Sequence, residues 1–331
     1  MRYFKFLTII LIAGLTACEK EIFYDDLAPD PLLVVNGLQR VGEPARLYVE
    51  RSSFYIESET DFRVKDLHVD LYVNGVFKET LLVRDSLITE TYSVWNENPD
   101  SIVTEERLRC AFNYCEGTYI LCEGDELRFE VSSSDFDEVA VAETKMPYAP
   151  NVISFDTIRT EGNASSVQSI YFSLVIDDPA GNDYYNLYPM DGLEGFSSSD
   201  PVFADFMNIV HVDDLFGNSD YYGYGEYNLF NDLYFDGTTY SVTMKSFFQS
   251  PDGVYYEPFT LEVSRVDDGF YQYKKSLNAY YQNDTGILGM VTEPTQVYSN
   301  VQHGVGLVGA QSLPVTMTID LTENGERRTE K

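Results

Sequence analysis

Histidine, cysteine, tryptophan and positive charge are all scarce in this sequence, and each shortage removes a class of function. Three histidines in 331 residues leave little for acid–base chemistry near neutral pH, and no phosphate-cradling loop or nucleophile motif makes up for them. Only 22 Lys and Arg stand against 54 Asp and Glu, a formal charge of −32. With no basic cluster to reverse that sign locally, the chain repels phosphate backbones and anionic lipid surfaces, which excludes nucleic-acid binding. The lone Trp95 argues against a sugar-stacking platform of the Trp type. No apolar run reaches the roughly 20 residues that a permanent membrane-spanning helix needs. What the chain does have is 26 Tyr, 21 Phe and 44% hydrophobic residues, enough for real cores and unlike a disordered chain. Its length suggests about two domains.

Residues 1–17 read as a signal peptide: a short basic head (Arg2, Lys5), an apolar run from Phe6 to Ala13, then Leu15-Thr16-Ala17 before Cys18. The small residues before Cys18 resemble a bacterial lipobox, in which the cysteine is acylated and the peptide is cut just before it. Two or three acyl chains on Cys18 would anchor the protein stably, whereas one alone holds only marginally. Loss of Arg2 and Lys5 leaves 20 basic against 54 acidic residues in the mature chain, a charge of −34. Membrane association would therefore be through the lipid alone. Residues 18–31 form an acidic tether, Cys18-Glu19-Lys20-Glu21 through Asp25, Asp26 and Asp30, closed by Pro29 and Pro31. The tether resembles the export signal of Bacteroidota lipoproteins carried to the outer face of the outer membrane. The expected location is accordingly the outer membrane, lipid-anchored and exposed on the cell surface.

The mature chain reads as mainly β. Residues 32–147 are expected to form an immunoglobulin-like β-sandwich, on a count of about seven short strands with turn punctuation. Within it, Leu67, Val69, Leu71 and Val73 alternate with His68, Asp70 and Tyr72 ahead of Asn74-Gly75, a strong hairpin signal that turns His68 outward. Pro147 and Pro150 bracket a boundary, and residues 151–321 read as a second β-rich domain carrying one helix near 268–282. There Asp267-Asp268 precedes Phe270, Tyr273, Lys274, Leu277, Tyr280 and Tyr281 at helical spacing. The aromatic stripe is expected to be core contact. A glycine-rich stretch from Asn300 to Gly309, a last strand at Val315–Leu321 and a polar tail at 322–331 complete the chain.

Several clusters are candidates for chemistry. From Thr160 to Met244 there is no Lys or Arg, against 14 Asp or Glu and 17 Tyr or Phe. Carboxylates without internal partners must face solvent or a cation. Asp213, Asp214, Asn218 and Asp220 put oxygen side chains close together, a candidate structural calcium site, and Asp177, Asp178, Asn182 and Asp183 make a second such turn. Neither follows the order of an EF-hand loop, and no cofactor is assigned beyond that calcium. Tyr221, Tyr222, Tyr224 and Tyr227, interleaved with Gly223 and Gly225, are a candidate contact surface. Cys110, Cys115 and Cys122 remain after lipidation of Cys18, and an exported chain with three thiols is expected to carry one disulfide. A chain turning back through Gly117 would pair Cys110 with Cys122 and leave Cys115 free.

Taken in order, these pieces resemble domain-of-unknown-function family 4249, surface lipoproteins of Bacteroidota commonly encoded beside TonB-dependent outer-membrane receptors. The resemblance rests on Cys18 to Ile22, Leu33-Val34-Val35-Asn36-Gly37-Leu38, Val69 to Gly75, and Gly124-Asp125-Glu126-Leu127 through Met146-Pro147. It continues in the Asp177-Asp178-Pro179-Ala180-Gly181 turn with Tyr184-Tyr185 and in Asn300 to Leu307. The segment 110–122 falls outside the pattern. The resemblance implies an exported, anchored, mainly β accessory protein with no known catalytic residue. The expected function is a non-catalytic surface lipoprotein assisting a TonB-dependent receptor by ligand capture or docking. The alternative is a surface glycan hydrolase or esterase, for which 54 acidic residues always supply some carboxylate pair.

Overall fold

A computed structural model describes residues 29–53, 60–95, 102–162, 167–190, 198, 200–203, 205–206, 228–249, 259–284, 296–321 and 327–328. The chain runs β1 (Leu33–Arg40), β2 (Pro44–Arg51), β3 (His68–Val73), β4 (Val76–Thr80), β5 (Leu82–Trp95), β6 (Ile102–Ile120), β7 (Glu126–Ser133), β8 (Phe136–Lys145) and β9 (Asn151–Gly162). It continues with β10 (Val167–Asp177), β11 (Tyr184–Pro189), β12 (Asn228–Asn231), β13 (Thr239–Gln249), β14 (Phe259–Val266), the helix α1 (Asp268–Asp284), β15 (Val301–Gln302), β16 (Val308–Gln311), β17 (Val315–Leu321) and β18 (Arg327–Arg328). The protein is mainly β, arranged as sandwich-like stacked sheets.

One sheet of ten strands forms the common wall. Its strand order is β12-β11-β14-β16-β1-β2-β6-β5, with β17 beside β14 and β18 beside β17. Two smaller sheets, β15-β8-β7-β3-β4 and β13-β10-β9, complete the architecture. Strand alternation tells which face meets which partner. Leu33 and Val35 of β1, Leu47 and Val49 of β2, and Val308 and Ala310 of β16 share one core with Val69 and Leu71 of β3 and Phe129 and Val131 of β7. Leu261 and Val263 of β14 and Tyr185 and Leu187 of β11 share a second core with Phe172 and Leu174 of β10 and Val242 and Met244 of β13. The opposite face of the same wall carries Leu38, Leu229 and Val266, which pack against Phe270 and Tyr271 of α1.

The chain does not part cleanly at Pro150. After α1 it returns to the first sandwich: β15 pairs antiparallel with β8, and β16 runs parallel to β1 with Gly37 opposite Val308 and Arg40 opposite Gln311. The glycines of residues 304–309 permit this. Gly304 lies against the Leu33 carbonyl and Gly309 against Phe270, so a side chain at either would meet backbone or ring. Asn36 Oδ1 accepts from Leu307 N at 3.0 Å, and Asn300 binds Val308 through both ends of its amide.

Local signals carried through in several places. Asn74 and Gly75 both adopt positive φ, 53° and 76°, as a tight two-residue hairpin requires, and His68 points outward beside Asp70. Asp267 caps α1, its Oδ1 accepting from Phe270 N at 3.2 Å. On that helix Tyr271 is sealed in the core while Tyr280, expected on the buried stripe, is 44% exposed. The helix outruns the surface it packs on before Tyr280 is reached.

The cysteine reading needs correction. No turn occurs at Gly117; β6 is one strand from Ile102 to Ile120, with Cys110 opposite Ile88 and Cys115 opposite Val83 on β5. Cys110 and Cys122 therefore lie at well-separated points along an extended chain, far beyond the Cα spacing of about 5.5 Å that a bridge needs. All three thiols are free.

Candidate functional site

Two neighbouring loops bring the acidic turns together. The β10–β11 loop carries Asp178 and Asp183, and the loop after β12 carries Asp232 and Asp236. Strand pairing makes them neighbours, since β11 lies beside β12 and β10 beside β13. One oxygen each from Asp178, Asp232 and Asp236 falls within 4.8 Å of the others. Asp178 and Asp232 are buried and Asp236 is exposed.

The loops are tied by their own backbones. Asp178 accepts from the Tyr185 hydroxyl and, through Oδ2, from Gly237 N at 2.9 Å. Asp232 Oδ2 accepts from Asp183 N at 2.8 Å, and Asp236 Oδ1 accepts from Gly181 N at 2.8 Å. Arg265 of β14 forms an ion pair with Asp183. Gly237, at φ +69°, lets the second loop close against Ala180. Burial pushes the Asp232 carboxyl up to about 6, and the nearby Asp178 charge adds to the shift. Burial, followed by the Asp178 hydrogen bond, also raises the Tyr185 phenol well above its usual range.

Chemically, this is an arrangement of acceptors with one exposed member. Calcium takes six to eight oxygens, and three carboxylates would supply part of such a shell. Both oxygens of Asp178 are already engaged by donors, however, so the hydrogen bonds account for the cluster as a brace between two loops. The same engagement makes Asp178 and Asp232 a poor acid–base pair for glycoside hydrolysis, which needs one carboxyl turned toward substrate. The sequence singled out Asp178 and Asp183 but missed Asp232 and Asp236. Their signal was Asn231-Asp232 and Asp236-Gly237, turn chemistry inside the same Lys- and Arg-free stretch.

The other sequence candidates, namely Cys18, the calcium set Asp213, Asp214, Asn218 and Asp220, and the contact tyrosines Tyr221, Tyr222, Tyr224 and Tyr227, lie outside the described residues. A different aromatic surface is present at the first sandwich. On the outer face of β2 and β6, the 46%-exposed Tyr48 sits 5.6 Å from Phe112 and 5.4 Å from Tyr114, between ring centroids. On the same face β5 exposes Leu82 and Ile88, and on the opposite face Leu87. Strand β2 accompanies β6 only as far as Asn113, and the segment at Asp61 flanks Ala111. Past that point β5 and β6 continue as a pair, out to Trp95 opposite Ile102.

Fold and surface together define a mainly β protein of stacked sheets, with an aromatic outer face and a long two-stranded ribbon. The chain belongs to the family described as Domain of unknown function (DUF4249), matched over residues 19–313. No curated protein matches it. Among solved structures, it is similar at 12% identity to a provisionally described membrane anchored protein from Corynebacterium diphtheriae, with 92% of this chain and 62% of that one covered and a TM-score of 0.19. Bovine butyrophilin aligns at 9% identity, with 71% and 89% covered and a TM-score of 0.16. At those scores neither likeness bears on fold or function.

Proposed function

We propose that this chain is a non-catalytic lipoprotein of the outer-membrane surface, held by acyl groups on Cys18, that docks on a TonB-dependent receptor through the β5–β6 ribbon and the aromatic row at its base. The leader, Cys18 and the acidic tether support the anchoring, and the family match starts at Glu19, the residue after Cys18. The ribbon is the observation that carries the docking. A two-stranded hairpin on its own is marginal in water, and this one extends from a sheet edge that already exposes Leu82, Leu87 and Ile88. Among the described residues β5 pairs with β6 alone, and an edge strand of this kind invites a partner.

Affinity purification of the full-length lipidated protein from outer membranes in mild detergent tests the reading. A barrel receptor is expected to co-purify. Replacing residues 86–110 with a short turn is expected to abolish recovery of the receptor while leaving the melting temperature of the rest nearly unchanged. Recovery of the lipoprotein alone, or undiminished co-purification without the ribbon, would refute docking. Resistance of the protein to protease on intact cells would refute surface exposure.

A further inference from the structure

On the outer face of the ten-stranded sheet, beyond the ground covered by α1, lies a cavity of about 410 Å³, within the size range that takes small molecules. A row of polar side chains from four adjacent strands runs beneath it. Arg40 of β1 stands opposite Gln311 of β16, Gln311 Nε2 donates to Ser264 Oγ of β14 at 2.8 Å, and Ser264 stands opposite Asn186 of β11. Tyr188 and Glu262, the next register pair on β11 and β14, also line the cavity. The same sheet face is apolar under α1, where Leu38, Leu229 and Val266 lie, so the change to polar residues coincides with the cavity.

Asn186 marks the site. It is 2% exposed, and its Oδ1 is sealed from solvent with no hydrogen-bond partner. A buried amide oxygen left unmet costs stability, and native proteins seldom keep one. Asn186 belongs to the lining of the cavity, and a turn of its amide toward that space would bring the oxygen to a ligand that meets it.

We propose that this cavity binds a neutral polyhydroxylated ligand, a free sugar or the terminal one or two residues of a glycan. A hydroxyl donates as well as accepts, so it supplies the donor that the Asn186 oxygen lacks once the amide turns toward the cavity. Arg40 and Gln311 add donors and Glu262 an acceptor. Tyr188, 39% exposed, offers a ring to the C–H face of a sugar. Arg40 and Glu262 balance each other's charge, while Glu43 at the edge is paired with Arg46 at 2.6 Å. The chain's charge of −32 disfavours anionic ligands. Binding at this cavity requires no receptor and is separate from docking by the ribbon.

Calorimetric titration of the purified mature protein with glucose, galactose, mannose, maltose, cellobiose and lactose tests this, with sugar phosphates and uronic acids as the anionic arm. At least one neutral sugar is expected to bind: a monosaccharide if the source is a free sugar, only a disaccharide if it is a glycan end. Asn186→Leu is expected to abolish binding with a melting temperature equal to or above that of the parent, since an oxygen without a donor is replaced by an apolar group of similar size. Glu262→Gln, at the rim, is expected to weaken binding by about tenfold or more with the fold intact. Absence of binding, binding of anionic sugars alone, or undiminished binding in both variants would overturn the proposal. So would a marked drop in the melting temperature of Asn186→Leu, which would make the amide a structural group.

Discussion

Thr144 Oγ1 donates to Asp267 Oδ2 at 2.8 Å, joining residues 123 positions apart. The other oxygen of Asp267 accepts from Ala310 N at 2.7 Å and from Phe270 N. One half-buried carboxylate thus ties the end of β8, the parallel strand β16 and the start of α1, the place where the returning chain locks to the first sandwich. Thr144→Val keeps the shape and removes the donor, leaving an oxygen of the half-buried carboxylate without it. A loss of about 1–3 kcal/mol is expected in urea unfolding, with Ser at the same position retaining most of the stability.

Asp267 and Asp232 should give this acidic protein an unusual pH profile. Burial pushes each carboxyl up to about 6 in the fold, against about 4 in an unfolded chain. The folded state therefore holds these protons to higher pH than the unfolded state does. Their contribution is full below about pH 4 and is lost as pH rises through about 6. Asp61 acts in the opposite sense: Arg63 holds its carboxyl down to about 2, so its contribution is lost only as pH falls toward that value. Thermal melts from pH 4.5 to 7.5 should show stability declining as pH rises. Asp232→Asn should flatten that slope and raise the melting temperature at pH 7.5; an unchanged slope would refute the assignment.

Local pairings are legible in the sequence and distant ones are not. Asn74-Gly75 declared its hairpin because type I′ geometry needs positive φ at two consecutive positions, and Asp267-Asp268 declared the helix start because capping needs an oxygen there. Nothing near Val308 says that it will lie beside Gly37, since that contact is made between distant segments and follows from how the second half folds back. The acidic cluster behaves likewise: Asp178 lay in a visible turn, but Asp232 and Asp236 join it only because β10–β13 and β11–β12 pair. The length of β6 was hidden for a different reason. Its cysteines invited a disulfide framework, and that expectation introduced a turn where alternation alone would have allowed one strand.

Glycines in the returning segment should be far less tolerant than those in turns. Gly306 has φ +124°, and a Cβ there would stand 2.2 Å from the Val35 carbonyl oxygen. Gly306→Ala therefore forces β1 and residues 305–307 apart, an expected loss of about 3 kcal/mol or more. Gly75, at φ +76°, has nothing within 4 Å of the same position, so Gly75→Ala should cost only about 1–2 kcal/mol, the strain of the left-handed backbone. Chemical denaturation of both variants checks the ranking, and an equal loss in the two would show that strain and not the clash dominates.

The thiols should behave as three unlike groups, not as a bonded pair and a spare. Cys115 is fully buried, and burial pushes its thiol up to about 12, so almost no thiolate forms near neutral pH. Cys122 is exposed and Cys110 half-buried. Along β6, Cys110 and Cys115 are five residues apart at about 3.4 Å each, some three times the reach of a disulfide. Iodoacetamide on the native protein should therefore label Cys122 first, Cys110 more slowly and Cys115 only after denaturation. Oxidation should link Cys122 between two molecules rather than close a ring within one. Non-reducing peptide mapping decides the matter: a peptide joining Cys110 to Cys122 of one chain would require β6 to fold back near Gly117, against the continuous strand described above.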